Sequence, residues 1–175
     1  PRRAPPAPPP TLDPIAHNGR MNTTMFNTHS ICGPSRASNL PGKYTHVNGV
    51  FKNEKGGDFD GSQLTFPKLF QKEGYQTAVI GKWHLGTNPT GFDYSKVMIN
   101  WGGQGTYFNP VFLENGKDTI METERHSTAQ VAHDALKWLD NRDTKKPFML
   151  MYQFKAPHRP WEPDPQFADL FTNGD

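Results

Sequence analysis

The chain has 175 residues, with 19 basic and 17 acidic side chains that leave a formal net charge of +2. This length suits one domain with a hydrophobic core, and the small net charge argues against a nucleic-acid-binding arm. A single cysteine, Cys32, excludes an internal disulfide and a four-thiolate zinc site. No apolar run reaches the roughly 18 residues of a membrane span. Given this and the small net charge, neither a membrane nor nucleic acid is an expected partner.

Residues 1–10 contain six prolines and no hydrophobic periodicity. They predict an extended, proline-rich lead, and they lack the apolar segment of a secretory signal peptide. Residues 11–175 are predicted to form one domain.

From residue 12 onward, helix and strand signals alternate. Short helices are predicted over Leu12–Gly19 and Pro34–Leu40, and a third follows Thr65, a candidate N-cap, and stops at Gly74. Tyr75–Ile80 predicts a strand that ends at Gly81. Ser127 and Gln130 fit a capping box before a helix whose apolar face is formed by Val131, Ala132, Ala135, Leu136 and Leu139. Residues 148–154 predict a buried strand closed by Pro157, and residues 86–118 predict loops with a hairpin. This alternation indicates an α/β layered core.

Two clusters of basic side chains lie where ligands gather in such folds, and a further basic residue, Arg36, lies beside Cys32. Lys82 and His84 follow the first predicted strand, and Lys155, His158 and Arg159 follow the last. Ligands commonly bind beyond the carboxyl ends of parallel strands. A cation beside an imidazole suits the binding of an oxyanion and the movement of a proton.

Cys32 stands just before the Pro34 helix, with Arg36 one turn further on. Backbone N–H groups at a helix start favour anions, and a guanidinium adds a fixed pair of donors, so a reactive group at residue 32 would face an anionic substrate. The alternative is that Cys32 is a small buried hydrophobe and that the loop cations are solvated, which is the more common case for any one of them alone. Together the two clusters and Arg36 favour a functional site.

Two sequence motifs bear a family resemblance. Cys32-Gly33-Pro34-Ser35-Arg36 resembles the C-x-P-S-R signature of type I sulfatases, members of the alkaline phosphatase superfamily; Leu40 and Gly42 match its extension, and Pro41 replaces the threonine. Residues 74–86, GYQTAVIGKWHLG, resemble the second sulfatase signature. Residues 22–37 and 154–164 are most similar to bacterial sulfatases of glycosaminoglycans and mucins, including N-acetylglucosamine-6-sulfatases.

The resemblance implies a sulfuric ester hydrolase acting on a sulfated carbohydrate. Cys32 would be oxidised to formylglycine by a formylglycine-generating or anaerobic sulfatase-maturing enzyme, and its hydrate would attack the sulfate sulfur. Arg36 would orient formylglycine, and Lys82 together with Lys155 and His158 would bind sulfate oxygens.

The two histidines are given proton-handling roles by the same resemblance. His84 would assist the hydrate, and His158 would protonate the departing oxygen. Asn48 is a candidate for sugar contact, although an Asn-Gly turn is the preferred interpretation of that residue.

Sulfatases also bind calcium, which needs oxygen ligands. Formylglycine at Cys32 would be one ligand, but the family's paired aspartates are not found, and Asp140-Asn141 is interpreted as a solvated helix end. The fold implied is therefore a partial alkaline-phosphatase-like sandwich: a mostly parallel sheet flanked by helices, lacking the first strand and the C-terminal part. By the same resemblance the protein would be periplasmic or secreted.

Two other functions stay open on sequence grounds. One is a non-catalytic remnant that binds sulfated glycans with the same basic residues. The other is a phosphate ester hydrolase of the same superfamily, against which Cys32 argues, because that branch usually places Ser or Thr at this position.

Overall fold

The computed structural model of the chain describes residues 12–53 and 58–170. The predicted proline-rich lead at residues 1–10 lies outside these residues. The described residues fall into two units, one of residues 12–27 and 165–170 and the other of residues 28–53 and 58–164. The first unit holds helix α1 (Leu12–Asn18), as predicted, and a 3-10 helix (Pro165–Phe167). Everything described below lies in the second unit.

A mixed five-stranded sheet in the order β4-β3-β2-β1-β5 forms the centre of this unit. Its strands are β1 (Gln76–Lys82), β2 (Tyr94–Met98), β3 (Val111–Glu114), β4 (Asp118–Met121) and β5 (Phe148–Gln153). Strand β1 pairs in parallel with both β2 and β5, whereas β2-β3 and β3-β4 are antiparallel. The carboxyl ends of three parallel strands therefore meet at one edge.

Helices cover both faces of the sheet. They are α2 (Cys32–Asn39), α3 (Thr45–Asn48), α4 (Phe66–Lys72) and α5 (Ser127–Asn141), with a 3-10 segment at Asn100–Gly103. Among the described residues, none of the helices is long and apolar enough to cross a bilayer. The α/β architecture predicted from the alternating signals is present.

The alternation along β1 explains why the sheet is covered on both sides. Val79 packs in one hydrophobic cluster with Ala37 of α2, and its neighbour Ile80 packs in a second cluster with Val131 and Ala135 of α5. Successive side chains of a strand point to opposite faces, so the consecutive buried apolar residues 78–80 of β1 need partners on both faces. This short apolar run thus accounts for the positions of α2 and α5.

Gly81 allows β1 to run one residue beyond the predicted strand end. Its φ is +108°, and a Cβ there would lie 1.9 Å from the carbonyl oxygen of Gln153 on β5. Only glycine accepts both this backbone conformation and this approach. The strand consequently delivers Lys82 to the edge of the sheet.

Strand β5 is less buried than predicted. Phe148 and Tyr152 are each 42% exposed, because β5 pairs only with β1 in the described sheet and stands at its outer side. The prediction of a fully buried strand was wrong in that respect, although the strand itself is present.

Two predictions about helix α5 also needed correction. The N-cap of α5 is His126, whose Nδ1 accepts a hydrogen bond of 3.3 Å from the backbone of Thr128, so Ser127 lies inside the helix and forms no capping box. Leu136 of the predicted apolar face is 62% exposed. Thr65 does occupy the N-cap position of α4, but its side chain makes no capping bond.

Candidate active site

Cys32 begins helix α2 and is half-buried. The preceding residue, Ile31, is extended, and the helix turns in at Cys32 with Pro34 in its first turn, where proline is well tolerated. The backbone N–H of Gly33 donates to Oδ1 of Asn53 at 2.8 Å. This contact fixes the start of the helix beneath the thiol, so that the positive end of its dipole faces the same space as the sulfur.

Lys82 brings a charge directly to the thiol. Its Nζ lies 3.6 Å from Sγ of Cys32 and donates to Oε1 of Gln104 at 2.6 Å. Trp83, the next residue, packs in the core instead, as strand alternation predicts. Burial lowers the pKa of Lys82, the anionic form of Cys32 opposes this change, and Arg36 adds to it.

Arg36 lies one helical turn from Cys32 and is tied to the sheet. Its Nη1 donates to the backbone oxygen of Lys82 at 2.7 Å and also to Oε1 of Gln153. Burial lowers the pKa of Arg36, whereas the anionic form of Cys32 raises it. These bonds orient the guanidinium, which therefore helps to define the geometry around residue 32.

Lys155 approaches the same group from the loop after β5. Its side chain is buried, and its Nζ lies 5.0 Å from the centre of the Tyr107 ring, a cation–π contact. Burial lowers the pKa of Lys155, while Glu162 and the anionic form of Cys32 raise it. Tyr107 also donates its hydroxyl to the backbone oxygen of His158. One buried tyrosine therefore supports both functional residues of this loop.

His84 is buried at 7% exposure, and its φ of +57° is unusual for a residue with a side chain. Its Nδ1 has no hydrogen-bond partner among the described residues. Burial, together with the nearby positive charges of Lys82, Arg36, His158 and Lys155, lowers the pKa of His84 to about 4. The ring is thus neutral at pH 7.

The structure brings six predicted residues together: Cys32, Arg36, Lys82, His84, Lys155 and His158. It does not bring Asn48 to them. The Asn48 side chain is 4% exposed and donates to Ser38 and to the backbone oxygen of Lys43, while it accepts from the backbone of Val50. These contacts give Asn48 the structural role in a turn, next to the left-handed Gly49.

Three supporting residues were missed by sequence reasoning: Gln104, Tyr107 and Gln153. Each is a common polar or aromatic side chain outside any recognisable motif. Its role follows only from its proximity to a motif residue in the folded chain.

The described side chains around Cys32 do not fit a calcium site. The charged groups there are lysine and arginine, and the nearby amide oxygens of Gln104 and Gln153 accept hydrogen bonds from these cations, whereas calcium takes carboxylate and carbonyl oxygens. Among residues 12–53 and 58–170 there is no group of three or more His, Cys, Asp or Glu side chains placed to hold a metal ion. The described residues therefore support no catalytic step through calcium.

A cavity of about 830 Å³ opens next to the basic cluster. Lys155 and His158 line it, and so do the aromatic side chains of Trp101, Phe108 and Trp161. The arrangement combines a thiol at a helix start, several cations for an anion, and an adjoining aromatic cavity.

A sequence model of the sulfatase family matches residues 3–175. The N-acetylglucosamine-6-O-sulfatase of Bacteroides thetaiotaomicron is 43% identical over 164 residues, covering 94% of this chain and 29% of that protein. The N-acetylglucosamine-6-sulfatase of Capra hircus is 31% identical over 181 residues, covering 91% and 32% respectively.

A solved structure, described as a complex with its substrate D-glucosamine-2-N,6-O-disulfate, superposes with a TM-score of 0.88 at 43% identity. The match covers 94% of this chain and 32% of that one. The chain thus spans about a third of the length of the relatives it matches. Because the family model matches almost the whole chain, and the fold agrees with it, the chain belongs to the sulfatase family.

Proposed function

We propose that this chain carries the nucleophile and the sulfate-binding cations of a sulfuric ester hydrolase. The observation that supports this most strongly is the contact between Nζ of Lys82 and Sγ of Cys32, at 3.6 Å, at the start of α2. Arg36 and Lys155 act electrostatically on the same sulfur. Fixed positive charges around a nucleophile stabilise the negative charge that develops on sulfate oxygens.

The active nucleophile in this proposal is formylglycine, made from Cys32 by a dedicated maturation enzyme. The site fits it, because residue 32 is half-buried beside cationic donors rather than sealed in the apolar core. When present, the hydrated aldehyde supplies a hydroxyl that attacks sulfur and a second hydroxyl that allows sulfate to be released. Calcium stays an expectation from the family, with oxygen ligands to be supplied by residues other than those described.

The other residues receive roles from their positions. Lys82 and Lys155 neutralise sulfate oxygens, and Arg36, held by Gln153, orients residue 32. Neutral His84 accepts a proton from the nucleophile. His158, at the border between the cluster and the cavity, gives a proton to the oxygen of the departing sugar.

We propose a sulfated sugar of the glucosamine type as the substrate. Two relatives carry the name N-acetylglucosamine-6-sulfatase or its 6-O form, and one solved relative was captured with a disulfated glucosamine. The cavity beside His158 offers room for the sugar that such a sulfate carries.

Turnover by the full-length protein, co-produced with the maturation enzyme, tests this proposal. We expect hydrolysis of glucosamine 6-sulfate, abolished in Cys32→Ala and lowered about 100-fold in kcat/KM by Lys82→Met, since a preorganised charge is removed. Lys137→Met, an exposed lysine of α5, is the matched control and should keep wild-type activity. Binding of the sugar without turnover by matured protein would favour the non-catalytic alternative.

A further inference from the structure

The cavity beside Lys155 and His158 is lined by aromatic side chains as well as by charged ones, unlike the cation cluster. Trp101, Phe108 and Trp161 all line it. Trp101 is 80% exposed and Trp161 is 68% exposed. Large aromatic side chains left this open usually mark a binding surface, since their burial would otherwise stabilise the fold.

Both tryptophans are held in a strained backbone conformation. The φ of Trp101 is +54° and that of Trp161 is +56°, in the left-handed region that a bulky side chain rarely adopts. Such strain persists only where surrounding contacts impose it, and it concentrates at functional sites. The contacts around each of the two loops therefore hold its tryptophan in this conformation.

The loop of Trp101 is fixed directly against the catalytic cluster. Gly103 packs so closely that a Cβ there would lie 3.0 Å from Cα of His84. The next residue, Gln104, accepts the hydrogen bond from Lys82, and Gly105 donates to the backbone of Asn100 at 3.0 Å. The position of Trp101 is thereby coupled to the residues that would hold sulfate.

The loop of Trp161 is fixed from the other side. The backbone N–H of Trp161 donates to the backbone oxygen of His158 at 3.3 Å, an oxygen that Tyr107 also contacts. The following backbone oxygen, that of Glu162, lies 3.0 Å from Nε2 of His126. The second indole is therefore held one short turn away from the proposed proton donor.

We propose that Trp101 and Trp161 are specificity-determining residues that bind the pyranose ring of the substrate. This inference rests on the proposed function. The apolar C–H faces of a sugar ring pack against indole, while its sulfate reaches past His158 to the lysines. Arg159 and Glu162 line the same cavity and offer a donor and an acceptor to the hydroxyl or amino groups at the ring edge.

The test measures binding separately from catalysis. In the unreactive Cys32→Ala background of the full-length protein, calorimetry gives the Kd of glucosamine 6-sulfate and that of inorganic sulfate. We expect Trp101→Ala and Trp161→Ala each to raise the sugar Kd about tenfold, because tryptophans that become covered by a ligand contribute strongly to binding energy. The Kd of sulfate should stay unchanged, since sulfate fills only the cation cluster.

Two control variants make the result specific. Trp101→Phe and Trp161→Phe each keep an aromatic face and should raise the sugar Kd by no more than about threefold. Tyr44→Ala removes an exposed aromatic side chain that does not line the cavity and should change neither Kd. An unchanged sugar Kd in both alanine variants would overturn the inference, and so would a parallel loss of sulfate binding.

Failure of the proposed function gives a different pattern. In that case the mature wild-type protein does not hydrolyse the sugar, whereas the binding differences between the tryptophan variants still confirm or refute the aromatic subsite.

Discussion

His84 shows how the basic cluster acts on its own members. Burial and, to a smaller extent, the nearby positive charges of Lys82 and Arg36 lower the pKa of this imidazole to about 4. A histidine with this environment is uncharged at neutral pH, so it adds no charge to the cluster. The cluster therefore combines lysine and arginine cations with a neutral imidazole.

The lowered pKa predicts how stability depends on pH. The unfolded chain takes up a proton at His84 near pH 6.5, its ordinary value, but the folded protein does so only near pH 4. Stability therefore falls as pH drops from 6.5 toward 4, and the loss at pH 5 is about 2 kcal/mol of unfolding free energy. Urea unfolding of the wild type and of His84→Gln at pH 7 and pH 5 measures this loss.

The glutamine variant has no imidazole to protonate, so it should lose less stability than the wild type between these two pH values. Parallel losses in the two proteins would show that His84 titrates normally in the folded state and would remove its assignment as a neutral base.

The motif residues of the site could be predicted from sequence, but the residues that hold them in place through hydrogen bonds could not. Cys32, Arg36 and Lys82 stand in recognisable local patterns at helix and strand ends. Gln153, in contrast, lies 117 positions from the arginine that it binds, so no local pattern connects the two. Asn48 illustrates the opposite case, because its local Asn-Gly turn explains its buried contacts fully.

For helices and strands, too, some features follow from the local sequence and others depend on contacts with distant parts of the chain. Helices α2 and α4 and strand β1 begin and end close to their predicted limits, because proline and glycine punctuate them locally. Strand β2 was predicted as part of a loop region. Its sequence includes Ser95 and Lys96, both buried, and polar residues of this kind do not signal a strand that is buried on both faces.

Burial of Lys96 in β2 depends on two carboxylates from other elements. Its Nζ lies 2.9 Å from Glu122, which follows β4, and 2.9 Å from Asp134 of α5. Burial lowers the pKa of Lys96, but the hydrogen bonds to both carboxylates raise it more, so the net direction is upward. This ion cluster joins β2, the hairpin and α5 on the face of the sheet opposite α2.

Removing the lysine should destabilise the whole unit. In Lys96→Met the carboxylate of Asp134 stays buried with Gln130 as its remaining partner, at 3.1 Å. We expect a loss of about 3 kcal/mol in the free energy of unfolding, measured by urea denaturation, because breaking a buried pair leaves an uncompensated charge.

Lys117→Met is the matched control for this substitution, since Lys117 lies exposed in the turn between β3 and β4. It should change stability by less than about 0.5 kcal/mol. Equal effects of the two substitutions would contradict the structural role given to the buried ion cluster.

At the scale of the whole molecule, charge is distributed unevenly. The net charge is only +2, yet the side chains nearest Cys32 are cationic or neutral and contain no carboxylate among the described contacts. The chain covers about a third of the length of its sulfatase relatives.

The conversion of Cys32 is the claim on which the proposed activity depends. Trypsin releases residue 32 in the peptide of residues 21–36, which holds the only cysteine of the chain. Mass spectrometry of this peptide, from full-length protein produced with a maturation enzyme, distinguishes the thiol from the aldehyde. Trapping with a hydrazine reagent labels only the aldehyde.

We predict that the matured protein yields the aldehyde peptide, that its fraction rises with the maturation enzyme, and that specific activity rises in proportion. A peptide that keeps its thiol in protein that nevertheless hydrolyses the sulfated sugar would contradict the account, and so would a fully converted peptide in protein without activity.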